Sequence, residues 1–318
     1  MTCIIAHMIF SHTYEHQLQN REIVCQIENG NISPFNELIV SWNGFRPETG
    51  KWTFWVSLFQ DEWSPWLKYA EWSASSQKTF HSHSEGSFAE TYQDTAHSKK
   101  GDCTGYRIRL DAENGADHSS LKTLYACTSD LQKQAIRPPT ENLSFVLLAA
   151  PKQSQMILDH PRHKDLCSPT STSTALNYLL KQQAVQPLDF ASKIHDDEWD
   201  IYGNWILNTA QAYQETAGQF RCHVERLNQF SDLHRYLVQD LPVVVSVRGP
   251  LPGAPHPYRS GHLICIIGYE PEQKRVYCID SAFPDNTSTL TSYPLNDFLT
   301  AWSKRGNIAY VFPKTYKV

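Results

Sequence analysis

The spacing of apolar residues changes part-way along the chain, and that change restricts the fold more than any other feature. Over 1–148 the apolar residues fall in short runs at 38–42, 52–59, 66–72, 106–110, 121–127 and 143–148. Runs this short, rich in aromatic and β-branched residues, read as strands. Tyr106-Arg107-Ile108-Arg109-Leu110 alternates apolar and basic, as a half-exposed antiparallel strand does. Asn29-Gly30, Pro47-Glu48-Thr49-Gly50 and Glu113-Asn114-Gly115 are turn signals between runs. With no long helical period here, the front half is expected to be an antiparallel β-sandwich, and 73–101 a long loop or irregular edge.

The rest of the chain reads helix first and strand later. Arg137-Pro138-Pro139-Thr140 and then Pro151 mark a junction, which divides the chain into 1–148 and 149–318. Linkers carry few cross-contacts, so 149–318 is expected to fold alone. Helices are predicted over 170–181, with Ser168 as N-cap and Pro169 in the first turn, over 204–217 closed by Gly218, and over 231–239. Strands are predicted over 242–248, 262–269 and 276–280, then a helix over 295–302 and a last strand over 307–312. The fold class is α+β.

Charge and motif content exclude several functions. Lys and Arg number 28 against 33 Asp and Glu, a net charge of −5, which gives no electrostatic reason for a nucleic-acid or anionic-membrane partner. No apolar stretch approaches the roughly 20 residues of a membrane span. The apolar patch at 3–10 lacks a basic flank and a small-residue cleavage site, and reads as a first strand of a cytoplasmic protein rather than a signal peptide. No P-loop or dinucleotide fingerprint occurs, so no cofactor is expected. Eight cysteines contain no CxxC pair, which argues against a zinc ribbon and for a reducing compartment. His81-x-His83 has no paired ligands nearby, and no metal is expected.

One constellation carries chemistry. Cys167 stands just before the predicted helix start, where free N–H groups and the helix dipole lower a thiol pKa and favour an oxyanion. Ser260-Gly261-His262 opens a buried strand, and the next strand, Val276 to Ile279, runs into Asp280. Adjacent antiparallel strands can bring His262 and Asp280 side by side, giving a nucleophile, a base and an orienting acid. Each residue type also has a plain structural use: a buried thiol, a hydrogen-bonded histidine, a turn-forming aspartate.

The wording of the motifs adds to this. Cys167-Ser168-Pro169-Thr170-Ser171, Gly203-Asn204-Trp205, 241–246 (LPVVVS), Gly261-His262-Leu263, Asp280-Ser281-Ala282 and 298–302 (FLTAW) occur in this order. Residues 150–318 thereby resemble the papain-like cysteine peptidases of family thirty-nine, in their stand-alone bacterial branch. The resemblance implies a papain-like domain with Cys167 as nucleophile, His262 as general base and Asp280 as the histidine's partner. The family often has Asn-Asp-Pro where this chain has Ile279-Asp280-Ser281, so the carboxylate is kept and the strand end differs. The family's oxyanion glutamine sits in a Pro-x-x-x-Gln segment, matched by Pro151-Lys152-Gln153-Ser154-Gln155, with Gln155 the candidate and Gln153 its rival.

The implied function is a thiol hydrolase acting on peptide or protein substrates through an acyl-thioester. An acyltransferase or transglutaminase would use the same thiol, and an inert binding protein would not. Trp42-Asn43-Gly44-Phe45-Arg46-Pro47 and 63–72 also resemble the β-rich domain that precedes this peptidase in similar chains. Six of the nine tryptophans lie between 42 and 72, as core or as a glycan- or peptide-contacting surface. His160-Pro161-Arg162-His163 and the Pro/Gly-rich 251–257 are expected near the cleft. The acidic run Asp196 to Asp200 reads as a solvated loop that also biases the cleft toward basic peptides.

Overall fold

The computed structural model describes residues 9–18, 24–27 and 32–315, with backbone alone for 24–27. Most of the patch at 3–10 and the Asn29-Gly30 turn lie outside these residues, as do Cys3 and the Cys25 side chain.

The front half contains β1 (Ser11–Gln17), β2 (Val24–Ile27), β3 (Glu37–Gly44), β4 (Lys51–Phe59), β5 (Leu67–Ser73), β6 (Gln77–Thr79), β7 (Ala89–Tyr92), β8 (Thr95–Ser98), β9 (Gly105–Glu113) and β10 (Leu121–Ser129). They form two antiparallel sheets, ordered β1-β10-β3-β8-β7 and β2-β9-β4-β5-β6. Trp42 of the first sheet stacks on Phe54 of the second at 4.1 Å between ring centroids, and Trp72 meets Trp42 edge-on. The alternation in β9 buries Tyr106, Ile108 and Leu110 and leaves Arg107 and Arg109 part-exposed. The stretch 73–101 is more regular than expected: β6 supplies an edge strand to one sheet, β7 and β8 to the other. Strands of three or four residues have too little periodicity to stand out in a polar sequence.

The second half holds β11 (Val146–Leu147), α1 (Cys167–Leu180), α2 (Pro187–Ser192), α3 (Trp205–Glu215), β12 (His223–Arg226), α4 (Phe230–Val238), β13 (Val243–Gly249), β14 (Tyr258–Glu270), β15 (Arg275–Ile279), β16 (Leu290–Pro294), α5 (Leu295–Ser303) and β17 (Ile308–Val311). The sheet runs β12-β17-β13-β14-β15-β16, with β11 paired to β14. The expected strand at 143–148 therefore shrinks to two residues and joins this sheet, not the front ones. Gly268 permits that pairing, because a Cβ there would lie 2.4 Å from the Val146 carbonyl oxygen. Helix α2, β12 and β16 have no counterpart in the sequence reading.

Helix α1 begins at Cys167, earlier than expected, and its N-cap is Leu166 without a side-chain bond. Ser168 is not the cap; its hydroxyl pairs with the Tyr310 hydroxyl at 3.0 Å. Pro169 falls in the first turn, where a missing N–H leaves no helix bond unmade. Asn204 does cap α3, accepting from the Leu207 N–H at 3.2 Å.

Buried polar contacts join the two halves. The Arg226 guanidinium lies 2.6 Å from Glu37. Asp94 accepts the N–H of Trp205 at 2.6 Å, so a residue of the front sheets caps α3. Asn43 donates to the Cys222 carbonyl at 2.6 Å. Asp196 accepts from the Thr79 hydroxyl at 2.6 Å and from Asn204 at 3.0 Å. No helix among the described residues is long and apolar enough to cross a membrane.

Candidate active site

Cys167 sits at the first turn of α1, half-buried, at the base of a cleft of about 730 Å³. His262 lies four residues into β14 rather than at its start, because β14 begins at Tyr258. Val247 pairs with His262 and Gly249 with Tyr258, so β14 runs four residues where β13 runs two. This bulge passes through Gly261, whose φ of +107° suits a residue without a Cβ. In a regular strand, residues four apart are separated by roughly 13 Å. The bulge instead folds Tyr258 back so that its ring stacks on His262 at 4.1 Å.

Asp280 follows the end of β15. Cys265 pairs with Ile279, so continuing the register sets Asp280 opposite Ile264, on the same face as His262 and one diagonal step away. His262 Nε2 is 2.7 Å from Asp280 Oδ1, which leaves Nδ1 for the thiol. The carboxylate is fully buried and fully satisfied: Oδ1 also accepts the Ala282 N–H at 3.1 Å, and Oδ2 accepts the Tyr258 and Tyr293 hydroxyls, each at 2.6 Å. The two tyrosines were not singled out in the sequence. A tyrosine three or four residues from a candidate histidine is a weak signal, and Tyr293 is 13 residues from Asp280 on β16.

The charges of this cluster support one another. Burial pushes the Cys167 thiol up, but the His262 hydrogen bond and charge, with the N–H groups of Leu263 and Ser168, bring it net below its usual 9. Burial also disfavours a charged His262, yet the Asp280 charge and hydrogen bond, then Cys167, raise it to about 10. Burial raises Asp280, while the His262 charge and the donors His262, Tyr258 and Tyr293 hold it below 3.8. Cys103, Cys127, Cys222, Cys265 and Cys278 move the opposite way, each raised chiefly by burial. Both shifts run toward a thiolate beside an imidazolium, and such a thiolate is a nucleophile with its proton already on a neighbouring acid.

Gln155 reaches the cleft beside Cys167. It ties three segments together. Its N–H pairs with the Ser281 carbonyl at 2.9 Å, its Oε1 accepts from the Ser281 hydroxyl at 2.7 Å, and its Nε2 donates to the His163 and Lys164 carbonyls at 3.1 and 2.7 Å. Gln153 faces elsewhere and accepts from the Thr174 hydroxyl of α1 at 3.0 Å. The chain turns into a short 3-10 helix at Gln155–Ile157, so the two side chains do not share a side as an extended segment would require.

Other sequence expectations divide. Pro255, His256 and Pro257 line the cleft, as the Pro/Gly-rich 251–257 suggested. Arg162 does not; it pairs with Asp165 at 2.9 Å and with Asp200 at 2.5 Å. The acidic run is no cleft wall either. Asp196 is buried against the front half, and Asp200 also meets His195 at 2.8 Å. The indoles of Trp63, Trp66 and Trp55 are stacked against Arg107 and Arg109, with guanidinium carbons 4.4–5.0 Å from the ring centroids. Those faces are therefore already in contact with the protein's own cations. No group of three or more metal-ligating side chains occurs among the described residues.

The sequence pattern of the Peptidase_C39-like family matches residues 147–310. Two solved structures are similar to the chain. One is a candidate C39-like peptidase from Bacillus anthracis, 20% identical, covering 55% of this chain and 100% of that one, with a TM-score of 0.42. The other is xylellain, a cysteine protease from Xylella fastidiosa, 12% identical, covering 59% of this chain and 94% of that one, with a TM-score of 0.37. No curated protein matches the sequence.

Proposed function

The chain belongs to the Peptidase_C39-like family of cysteine peptidases, and on that footing we propose that Cys167, His262 and Asp280 hydrolyse a peptide or amide bond through an acyl-thioester. The observation that supports this reading is the 2.7 Å bond from His262 Nε2 to the buried Asp280, with His262 and Cys167 lining the same cleft. His262 takes the thiol proton, and the thiolate attacks the substrate carbonyl carbon. The tetrahedral oxygen is held by the Cys167 N–H, which as a first-turn group has no partner within the helix, and by the Gln155 amide. Gln155 Nε2 meets two carbonyls in the free enzyme, so one of its N–H groups turns to the oxyanion during the reaction. His262 then protonates the leaving amine, the C–N bond breaks, and water attacks the thioester to release the acid and restore the thiol.

We read 1–148 as a β-sandwich domain and 149–318 as the papain-like domain. The ring pair Trp42–Phe54 between the two front sheets supports the sandwich. The sandwich serves the peptidase by capping α3 with Asp94 and by pairing Glu37 with Arg226.

The test is a short exposure to iodoacetamide followed by mass mapping, in wild type, Cys167→Ala and His262→Ala. Cys167 should be modified first of all the cysteines, and much more slowly in His262→Ala. Prior modification of another cysteine, with Cys167 untouched, would rule out the thiolate reading.

A further inference from the structure

The cleft above Cys167 is electrically one-sided. Outside the Cys167–His262 pair, whose charges offset, its lining includes Lys164, His256 and Arg259 and no Asp or Glu. The chain as a whole carries −5, so the cleft opposes the sign of the molecule around it. Lys164 and Arg259 are exposed and, among the described residues, neither has an ion-pair partner. The carboxylates nearby in sequence are engaged elsewhere. Asp165 and Asp200 are taken by Arg162 and His195, and Asp280 is buried behind His262 with four donors on its oxygens. Cations without ion-pair partners in the lining of a cleft focus the field into it and raise the local concentration of anions.

Resting on the thiol-hydrolase reading above, we propose that the substrates are acidic peptides, with a carboxylate placed within a few residues of the scissile amide so that it meets Lys164 or Arg259. This is opposite to the preference for basic peptides expected from the run Asp196 to Asp200, whose side chains lie outside the cleft. The carboxylate has two sources, an Asp or Glu side chain or a free peptide C-terminus.

The experiment compares alkylation of Cys167 by iodoacetate and by iodoacetamide, which differ in charge at the same reacting carbon. In each case the thiolate displaces iodide and forms one C–S bond. The rate ratio, iodoacetate over iodoacetamide, should fall about 3–10-fold in Lys164→Glu and in Arg259→Glu at low salt, as expected for two units of charge reversed several ångströms from the sulfur. It should also fall in wild type at about 1 M salt, where the screening length is near 3 Å. Internally quenched peptide pools then separate the sources: pools rich in Asp and Glu with amidated ends, against neutral pools with free C-termini, with Lys-rich pools the slowest. If both reagents modify Cys167 but the ratio is unmoved by either substitution and by salt, the acidic-substrate proposal is overturned. If neither reagent modifies Cys167 in wild type, the thiol-hydrolase reading itself falls and takes the proposal with it.

Discussion

Tyr293→Phe isolates the role of the donors behind Asp280. The side chain is fully buried, does not line the cleft, and differs from phenylalanine only by the hydroxyl that reaches Asp280 Oδ2 at 2.6 Å. A hydrogen bond to an ionised group contributes about 1.5–3 kcal/mol. While His262 is charged, the carboxylate is compensated and the bond lies near the low end of that range. When His262 loses its proton, the buried carboxylate is uncompensated and the bond lies near the high end. The difference, about 1.5 kcal/mol, is close to one pKa unit. Removing the hydroxyl therefore lifts the His262 pKa from about 10 to about 11. It should also lower folding stability near neutral pH by about 1.5 kcal/mol. A His pKa raised on folding stabilises the protein fully below its unfolded value near 6.5, and that stabilisation is lost as pH rises through about 10. The variant should keep it to higher pH. Isotope-edited NMR of the His262 ring across this range, with thermal melts, reads both effects. An unchanged or lowered imidazole pKa in a folded Tyr293→Phe protein would refute the argument that this hydroxyl carries uncompensated carboxylate charge.

Three further outcomes are expected. Gln155→Ala should leave Cys167 alkylation nearly intact while turnover falls roughly 10²–10³-fold, as for loss of one oxyanion donor, and Gln153→Ala should cost far less; the reverse order, measured on any turned-over peptide, would reassign the donor. Asp94, raised to about 7 by burial despite the N–H groups of Ile206 and Trp205, stabilises the fold fully below pH 3.8 and loses that stabilisation as pH rises through about 7. Asp94→Asn keeps an acceptor for those N–H groups, so against wild type it should gain up to about 4 kcal/mol between pH 4 and 8, and equal melting shifts at both ends would refute this. Against the expectation from the linker signals, residues 149–318 alone should be poorly folded, because the cut removes β11, the Asp94 cap of α3, and the buried Glu37 partner of Arg226; a soluble fragment with native circular dichroism and a reactive Cys167 would show that the halves are independent.

Much of the core architecture can be read from local pattern. The strands now seen at Glu37–Gly44 and Lys51–Phe59 follow from short apolar runs, Gly105–Glu113 from apolar alternation, and the start of α3 from Asn204, while its end comes at Glu215, before the expected 217. The neighbourhood of His262 and Asp280 was also legible, because two consecutive strands joined by a short turn pair antiparallel and bring residues near their far ends together. Four features were not: the fold-back of Tyr258, the reach of Tyr293, the divergence of Gln153 from Gln155, and the burial of Asp196. The first depends on a bulge, which inserts residues without altering composition. The reach of Tyr293 depends on the pairing of two neighbouring strands, the divergence of Gln153 from Gln155 on a single 3-10 turn, and the burial of Asp196 on a partner, Thr79, 117 residues away. The sequence by itself determined which side chains are chemically able and which elements carry them, since propensity and periodicity act over a few residues. Only the tertiary structure decided which carboxylates were consumed by the interface between the halves and which cations were left facing the cleft. Charge pairing is settled by distances through space, and a linear order of residues does not contain those distances.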